Sequence, residues 1–323
     1  MGAKKKASST SLSATSSSLS SSCVRTVPCT LQETATWLSQ RGDDEASTTA
    51  GPAAVWRLCA PHDRICVVGC ASRRALAGCF GRASHWLEAG GAELLDDVPR
   101  SGGAAGGAAN YTGHNMRWCE LARFAKAVER ARVGLLPGET KLLASLQEAG
   151  VLRRGKEGWE AATRRGEDGG IVAMARGLPP RELGATLLHE AMHGIFYTHR
   201  SFAAKCEEFY TGDAFIGDTQ RAVWRRFLET MGYDSGCDDL AVNEFQAYML
   251  TERDLFGHHH HHHQQGSGKS SSTRTSSSTG SSGGDDQREL SWMQVVFNRF
   301  IASYVPTPVP ELISARCIFR DTV

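Results

Sequence analysis

The chain has 323 residues, 36 Lys and Arg against 35 Asp and Glu, and a formal net charge of +1. That balance excludes a broad positive field for nucleic acid or an anionic membrane, and no run of about eighteen apolar residues offers a membrane span. Hydrophobic residues make up 41%, enough for one sizeable core, although several low-complexity stretches cannot contribute to it.

Residues 1–50 read as a disordered Ser-rich tail, with a short helical pattern from Leu31 to Gln40 near its end. The beginning carries Lys4, Lys5, Lys6 and Arg25, no acid and no apolar stretch of secretory type. The expectation is cytoplasmic, with an organellar transit segment as the alternative. Ten Cys are scattered along the chain and, without a secretion signal, free thiols are expected. Arg64–Cys70 reads as a buried strand. Cys59, His62, Cys66 and Cys70 cluster around it, but not with the C-x-x-C spacing of a structural zinc site. A loop-rich stretch follows, then a Gly/Ala run from Gly102 to Ala109 that reads as a flexible insertion. Met116–Val133 and Glu139–Ala149 read as amphipathic helices stopped by Gly134 and Gly150. The basic residues Arg153, Arg154, Lys156, Arg164 and Arg165 alternate with Glu157, Glu160 and Glu167, the pattern of a solvated face. Ile171–Ala175 is a candidate strand, and Pro179 and Pro180 mark the start of a helix.

That helix carries His189-Glu190-Ala191-Met192-His193. A helix turns by about 100° per residue, so two His four apart stand one above the other on one face. Two neutral imidazoles can then take two corners of a tetrahedral zinc, with Glu190 beside them as a proton acceptor. Thr186, Leu187 and Leu188 before the motif, and Gly194 and Ile195 after it, make the helix apolar nearly all round and therefore buried. Buried imidazoles and a buried carboxylate need partners, and a metal ion provides them.

A third protein ligand has two candidates. Glu244 lies in a helical stretch whose apolar face carries Leu240, Ala241, Ala247 and Tyr248, while Asp239, Asn243 and Gln246 are expected to face water. A lone carboxylate on such a face usually holds a cation or an Arg. His199, ten residues after His189, is the alternative. Asp218–Met231 reads as a helix ended by Gly232, and Leu290 to Tyr304 as another with an apolar stripe. Between them, 257–286 contains His258 to His263 and a Ser/Gly/Thr-rich run, a low-complexity insertion. Gly268-Lys269-Ser270 imitates the end of a phosphate loop, but the required first Gly falls on His263.

H-E-x-x-H followed some tens of residues later by the Asn243-Glu244 pair resembles the gluzincin, or thermolysin-like, zinc metallopeptidases. The resemblance spans about residues 179–256. It implies His189, His193 and Glu244 as zinc ligands and Glu190 as general base. Members close to thermolysin carry an Asp four residues beyond the ligand Glu, where this chain has Tyr248. A weaker resemblance is to metzincins, whose third His would be His199 and whose Met-turn would be Met231-Gly232-Tyr233. The Gly that lets the metzincin helix swing back is Phe196 here.

The expected fold is therefore α+β and zincin-like, mostly helical with a small mixed sheet, in a domain covering 51–323. The expected function is zinc-dependent hydrolysis of a peptide or protein substrate, with Tyr210, Tyr233, Tyr248 and later Arg residues as candidate oxyanion donors. A zincin-fold binding or scaffold protein with a structural zinc is the alternative, and a non-peptide amide substrate would share the same site.

Overall fold

Two hexapeptides, Ile65–Cys70 and Gly170–Ala175, have every residue buried, which requires packed layers on both of their faces. They are β3 and β7 of a computed structural model that describes residues 26–29, 31–39, 51–58, 62–88, 113–163, 167–252 and 282–304. With β1 (Thr26–Cys29), β2 (Pro52–Leu58) and β4 (Gly113–Arg117) they form a five-stranded sheet ordered β1-β2-β3-β7-β4. β1 and β2 are parallel, as are β3 and β7, whereas β2 runs antiparallel to β3 and β4 to β7. The fold is α+β with a small mixed sheet.

Alternation along the central strands divides the interior in two. Ile65, Val67, Val172 and Met174 face one core. Cys66, Val68, Cys70, Ile171, Ala173 and Ala175 face the other. The second core is closed by α2 (Arg73–Glu88), α3 (Trp118–Arg130), α4 (Pro137–Glu148) and the hairpin β5 (Leu152–Gly155) and β6 (Gly158–Ala161). The first is closed by α1 (Leu31–Ser39), α5 (Pro180–Thr198), α6 (Arg200–Thr211), α7 (Asp218–Thr230), α8 (Asp238–Thr251) and α9 (Ser282–Ile301).

The long helix α5 lies on β3, β7 and β4 and is crossed by α8. Leu183, Leu187, Ala191, Met192 and Ile195 of α5 are buried, and each large side chain among them contributes about 1.5–3 kcal/mol on leaving water. Two glycines bring the helix down onto the strands. A Cβ on Gly170 would stand 2.9 Å from the Gly194 Cα, and one on Gly194 would stand 3.0 Å from the Ile65 side chain. The end of the helix is held by Arg64, whose guanidinium donates to the Thr198 carbonyl, supplying a partner that the helix itself cannot. On the far side of α8, the buried Trp224 indole donates to the Ala241 carbonyl at 2.9 Å.

Several expectations are corrected here. Helix α3 begins at Trp118, because Gly113–Arg117 pairs with β7. Arg117 is extended (φ −76°, ψ 153°) and its N–H donates to Glu120 at 2.7 Å, which starts the helix after it. The stretch after β3 contains the sixteen-residue helix α2 in place of loops. Residues 26–39, expected as tail, supply β1 and α1, with Ala35 and Leu38 in the first core. Asn243 and Gln246 do not face water, since α8 is buried on every side from Ala241 to Thr251. Cys66, Cys70, Cys79, Cys119, Cys206 and Cys237 form no disulfide, and Arg153 and Arg154 pair with Glu160 and Glu129 at the surface. Cys59, Arg164, Arg165, the Gly102–Ala109 run and residues 257–281 of the expected insertion lie outside the described residues, whereas its last residues, 282–286, form the start of α9. Among the described residues no helix is long and apolar enough to cross a membrane.

Candidate metal centre

His189 and His193 project from α5 toward α8, where Glu244 meets them. The two Nε2 atoms are 3.1 Å apart, and Glu244 Oε2 lies 3.5 Å from that of His189 and 3.6 Å from that of His193. A point equidistant from all three atoms in their plane is about 2.0 Å from each, close to the zinc–nitrogen and zinc–oxygen distances of about 2.0–2.2 Å. The carboxylate oxygen is too far from either imidazole for a hydrogen bond and has no such partner among the described residues. A buried anionic oxygen left in this way is costly, and a divalent cation shared with two imidazoles relieves it. The donor set therefore fits zinc.

Electrostatics within the cluster follow from burial and proximity. Burial pushes Glu190 up to about 7, opposed by the charge of His189 and a hydrogen bond from Asn115 and assisted by the charge of Glu244. Burial takes His193 down to about 4 against the pull of Glu244. His189 also loses from burial, but the adjacent Glu244 carboxylate outweighs this and holds it above its ordinary value. The converse holds for Glu244, which burial would raise but which the charges of His193 and His189 keep low.

Around the ligands, the Tyr248 ring sits edge-on to His189 with centroids 4.7 Å apart. The place where the resemblance implies an Asp thus supplies a ring contact, and the Tyr233 hydroxyl is close enough to the Glu244 carboxylate to help keep its pKa low. Burial raises the pKa of both phenols, so each remains a proton-bearing donor near neutral pH. Tyr210 packs on Phe245 in the core.

Glu190 stands beside the two His, with Oε2 accepting from Asn115 Nδ2 at 3.0 Å. Asn115 Oδ1 accepts from the Tyr197 hydroxyl at 2.6 Å, and that hydroxyl accepts from Asn243 Nδ2 at 3.0 Å. The Arg117 guanidinium covers the Tyr197 ring at 4.7 Å. A cleft of about 540 Å³ opens on this side, lined by Arg117, Glu120, Tyr197, Asp239 and Asn243 among others.

The structure thus brings together His189, Glu190, His193 and Glu244, and it keeps His199 apart. His199 ends α5 half-buried, and its Nε2 lies 3.0 Å from His62 Nδ1. Sequence reasoning missed Gly113, Asn115 and Tyr197 and turned Asn243 outward. Only the alternation of β4 could have revealed the first two, and five residues carry little periodic signal. No protein-family model matches the chain, and no curated protein or solved structure matches it either.

Proposed function

We propose that the chain is a zinc-dependent hydrolase acting on peptide bonds, on a zincin-like fold. The observation that carries this reading is the near-equilateral His189–His193–Glu244 triangle with the Glu190 carboxylate beside it. Zinc held by those three residues would supply a Lewis acid and a water acidic enough to deprotonate near neutral pH. Glu190 accepts the proton of the attacking water and returns it to the leaving amine, a role suited by a pKa pushed up to about 7. Tyr233 and Tyr248 are the hydroxyl donors nearest the ligands, and they are our candidates for stabilising the developing oxyanion.

A peptide substrate is supported by β4. It is an antiparallel strand at the sheet edge, adjacent to α5, and among the described residues its outer side pairs with no strand. Such an edge accepts an extended chain through main-chain hydrogen bonds. The zincin-like assignment rests on the same arrangement: a mixed sheet, an antiparallel edge strand, the motif helix beneath it and a second helix carrying the carboxylate.

The test is zinc content and peptide hydrolysis of the chain with His258 to His263 replaced by serine, so that the tract contributes no metal. About one zinc per chain is expected, lost in Glu244→Ala and kept in Glu190→Ala with hydrolysis abolished. Zinc retained in Glu244→Ala would remove Glu244 from the ligand set. A zinc-loaded parent with no hydrolysis of any peptide library would favour a structural role.

A further inference from the structure

We propose that the face of β4 turned to α5, made of Gly113, Asn115 and Arg117, is a positioning device that holds Glu190 in its working rotamer, an inference that rests on the hydrolase reading. Strand alternation puts these three residues on one face, while His114 and Met116 turn into the opposite core. On α5, Glu190 and Tyr197 are seven apart, two turns along the same side. The two rows meet at three places. The Glu190 carboxylate lies against Gly113, its outer oxygen is bonded by Asn115, and Arg117 covers Tyr197.

Gly113 acts through what it lacks. A Cβ there would stand 2.3 Å from Glu190 Oε1 and 2.7 Å from its carboxyl carbon, so any other residue expels the carboxylate from this position. Asn115 acts through direction. Its Nδ2 can face Glu190 only if Oδ1 faces the other way, and the Tyr197 hydroxyl secures that by donating to Oδ1. The hydroxyl proton is committed to Asn115 because the same oxygen accepts from Asn243 Nδ2. Every donor in the series Asn243, Tyr197, Asn115 therefore points toward the Glu190 carboxylate, and aligned hydrogen bonds of this kind reinforce one another. Asn243 precedes Glu244 in α8, so the base and the carboxylate ligand share one connected scaffold. A general base must be held within a fraction of an ångström of its proton, and misplacement by about 1 Å can cost roughly 100-fold in rate.

The experiment uses the full chain with Asn115→Ala, Tyr197→Phe and the double variant. Expected are a fall in kcat of about 100-fold for Asn115→Ala, with KM within about threefold and zinc content unchanged. Tyr197→Phe should cost about tenfold alone and little more when Asn115 is already Ala, because it acts through Asn115. An unchanged kcat in Asn115→Ala, or full multiplicative loss in the double variant, overturns the proposal. Gly113→Ala should show the same kcat loss. A second readout needs no activity: a double-mutant cycle between Asn115→Ala and Glu190→Ala in the unfolding of metal-stripped protein. The pair should show a coupling of about tenfold or more in the unfolding constant, and additivity there would remove the contact itself. If the parent has no hydrolytic activity, the hydrolase reading fails while the cycle still reports on the contact, so the two failures are distinguishable.

Discussion

Removing the Glu139 carboxylate should destabilise the protein more than most single changes, although it lies in the layer away from the His189–His193–Glu244 cluster. Arg82 on α2 and Glu139 in the first turn of α4 are buried, with side chains 1% and 3% exposed. The carboxylate accepts from Arg82 Nε at 2.8 Å, from Arg82 Nη2 at 2.5 Å and from the Leu136 N–H at 2.8 Å. Glu139→Ala leaves a guanidinium out of water with the Gly134 carbonyl at 3.2 Å as its remaining hydrogen-bond acceptor. Breaking a buried pair from one side costs about 3–5 kcal/mol, a large share of the roughly 5–15 kcal/mol that holds a domain together. For a chain of this size the melting midpoint should fall by roughly 10 °C. Urea titration followed by tryptophan fluorescence reads the loss as a shift in midpoint. The double variant Arg82→Met, Glu139→Leu should recover most of it, because an apolar pair of similar volume leaves no buried charge. A loss below about 1 kcal/mol in Glu139→Ala would refute the argument that the pair is desolvated.

Three further outcomes are expected. Burial takes His114 from its ordinary 6.5 down to about 4, so the folded state binds fewer protons than the unfolded one. Its contribution to stability is full above pH 6.5 and falls by up to about 3 kcal/mol as the pH drops toward 4. His114→Asn should flatten that part of the stability profile, and an unchanged slope between pH 6.5 and 4 would count against it. Gly194→Ala places a methyl 3.0 Å from the Ile65 side chain and should cost about 1–3 kcal/mol by lifting α5 from the sheet. Zinc affinity should weaken with it, because His193 is the adjacent residue, and calorimetric titration with zinc measures this directly. Trp224→Phe removes the 2.9 Å bond to the Ala241 carbonyl and part of a filled volume, for a loss of about 1–3 kcal/mol in denaturant titration. A variant as stable as the parent would show that α7 does not anchor α8.

The elements that could be read from the chain were those whose local pattern is decisive. Ile65–Cys70 and Ile171–Ala175 are short apolar runs bounded by polar or turn residues, α5 begins on Pro180, and α7 begins on Asp218 and stops before Gly232. The convergence of His189, His193 and Glu244 could be anticipated because metal chemistry restricts both residue type and spacing, and their donor atoms do lie within 4.8 Å of one another. The surrounding support was not legible. Asn243 and Gln246 look like surface residues in a helical projection. They are buried because α8 is packed on every side, and there Asn243 bonds the Tyr197 hydroxyl of α5 while Gln246 folds back onto the Asn243 carbonyl of its own helix. Met116 and Arg117 were absorbed into the helix that follows and Gly113–Asn115 was assigned to no element, because the strand character of this segment comes from β7, more than fifty residues away. Helix α2 does carry an uncharged stripe at helical spacing, Leu76, Cys79, Phe80, Ala83 and Trp86, but Gly78 and Gly81 and its polar ends make the segment look like loop.

The sheet assigns neighbouring residues to opposite sides, which makes the centre sensitive to parity as well as to identity. Deleting one residue from β4 would preserve composition almost unchanged yet invert every side chain beyond the deletion. His114 would swing toward the Glu190 carboxylate, while Asn115 would be driven among Phe80 and the apolar residues of the other core. Chain-length variation in this strand should therefore be tolerated only in pairs of residues.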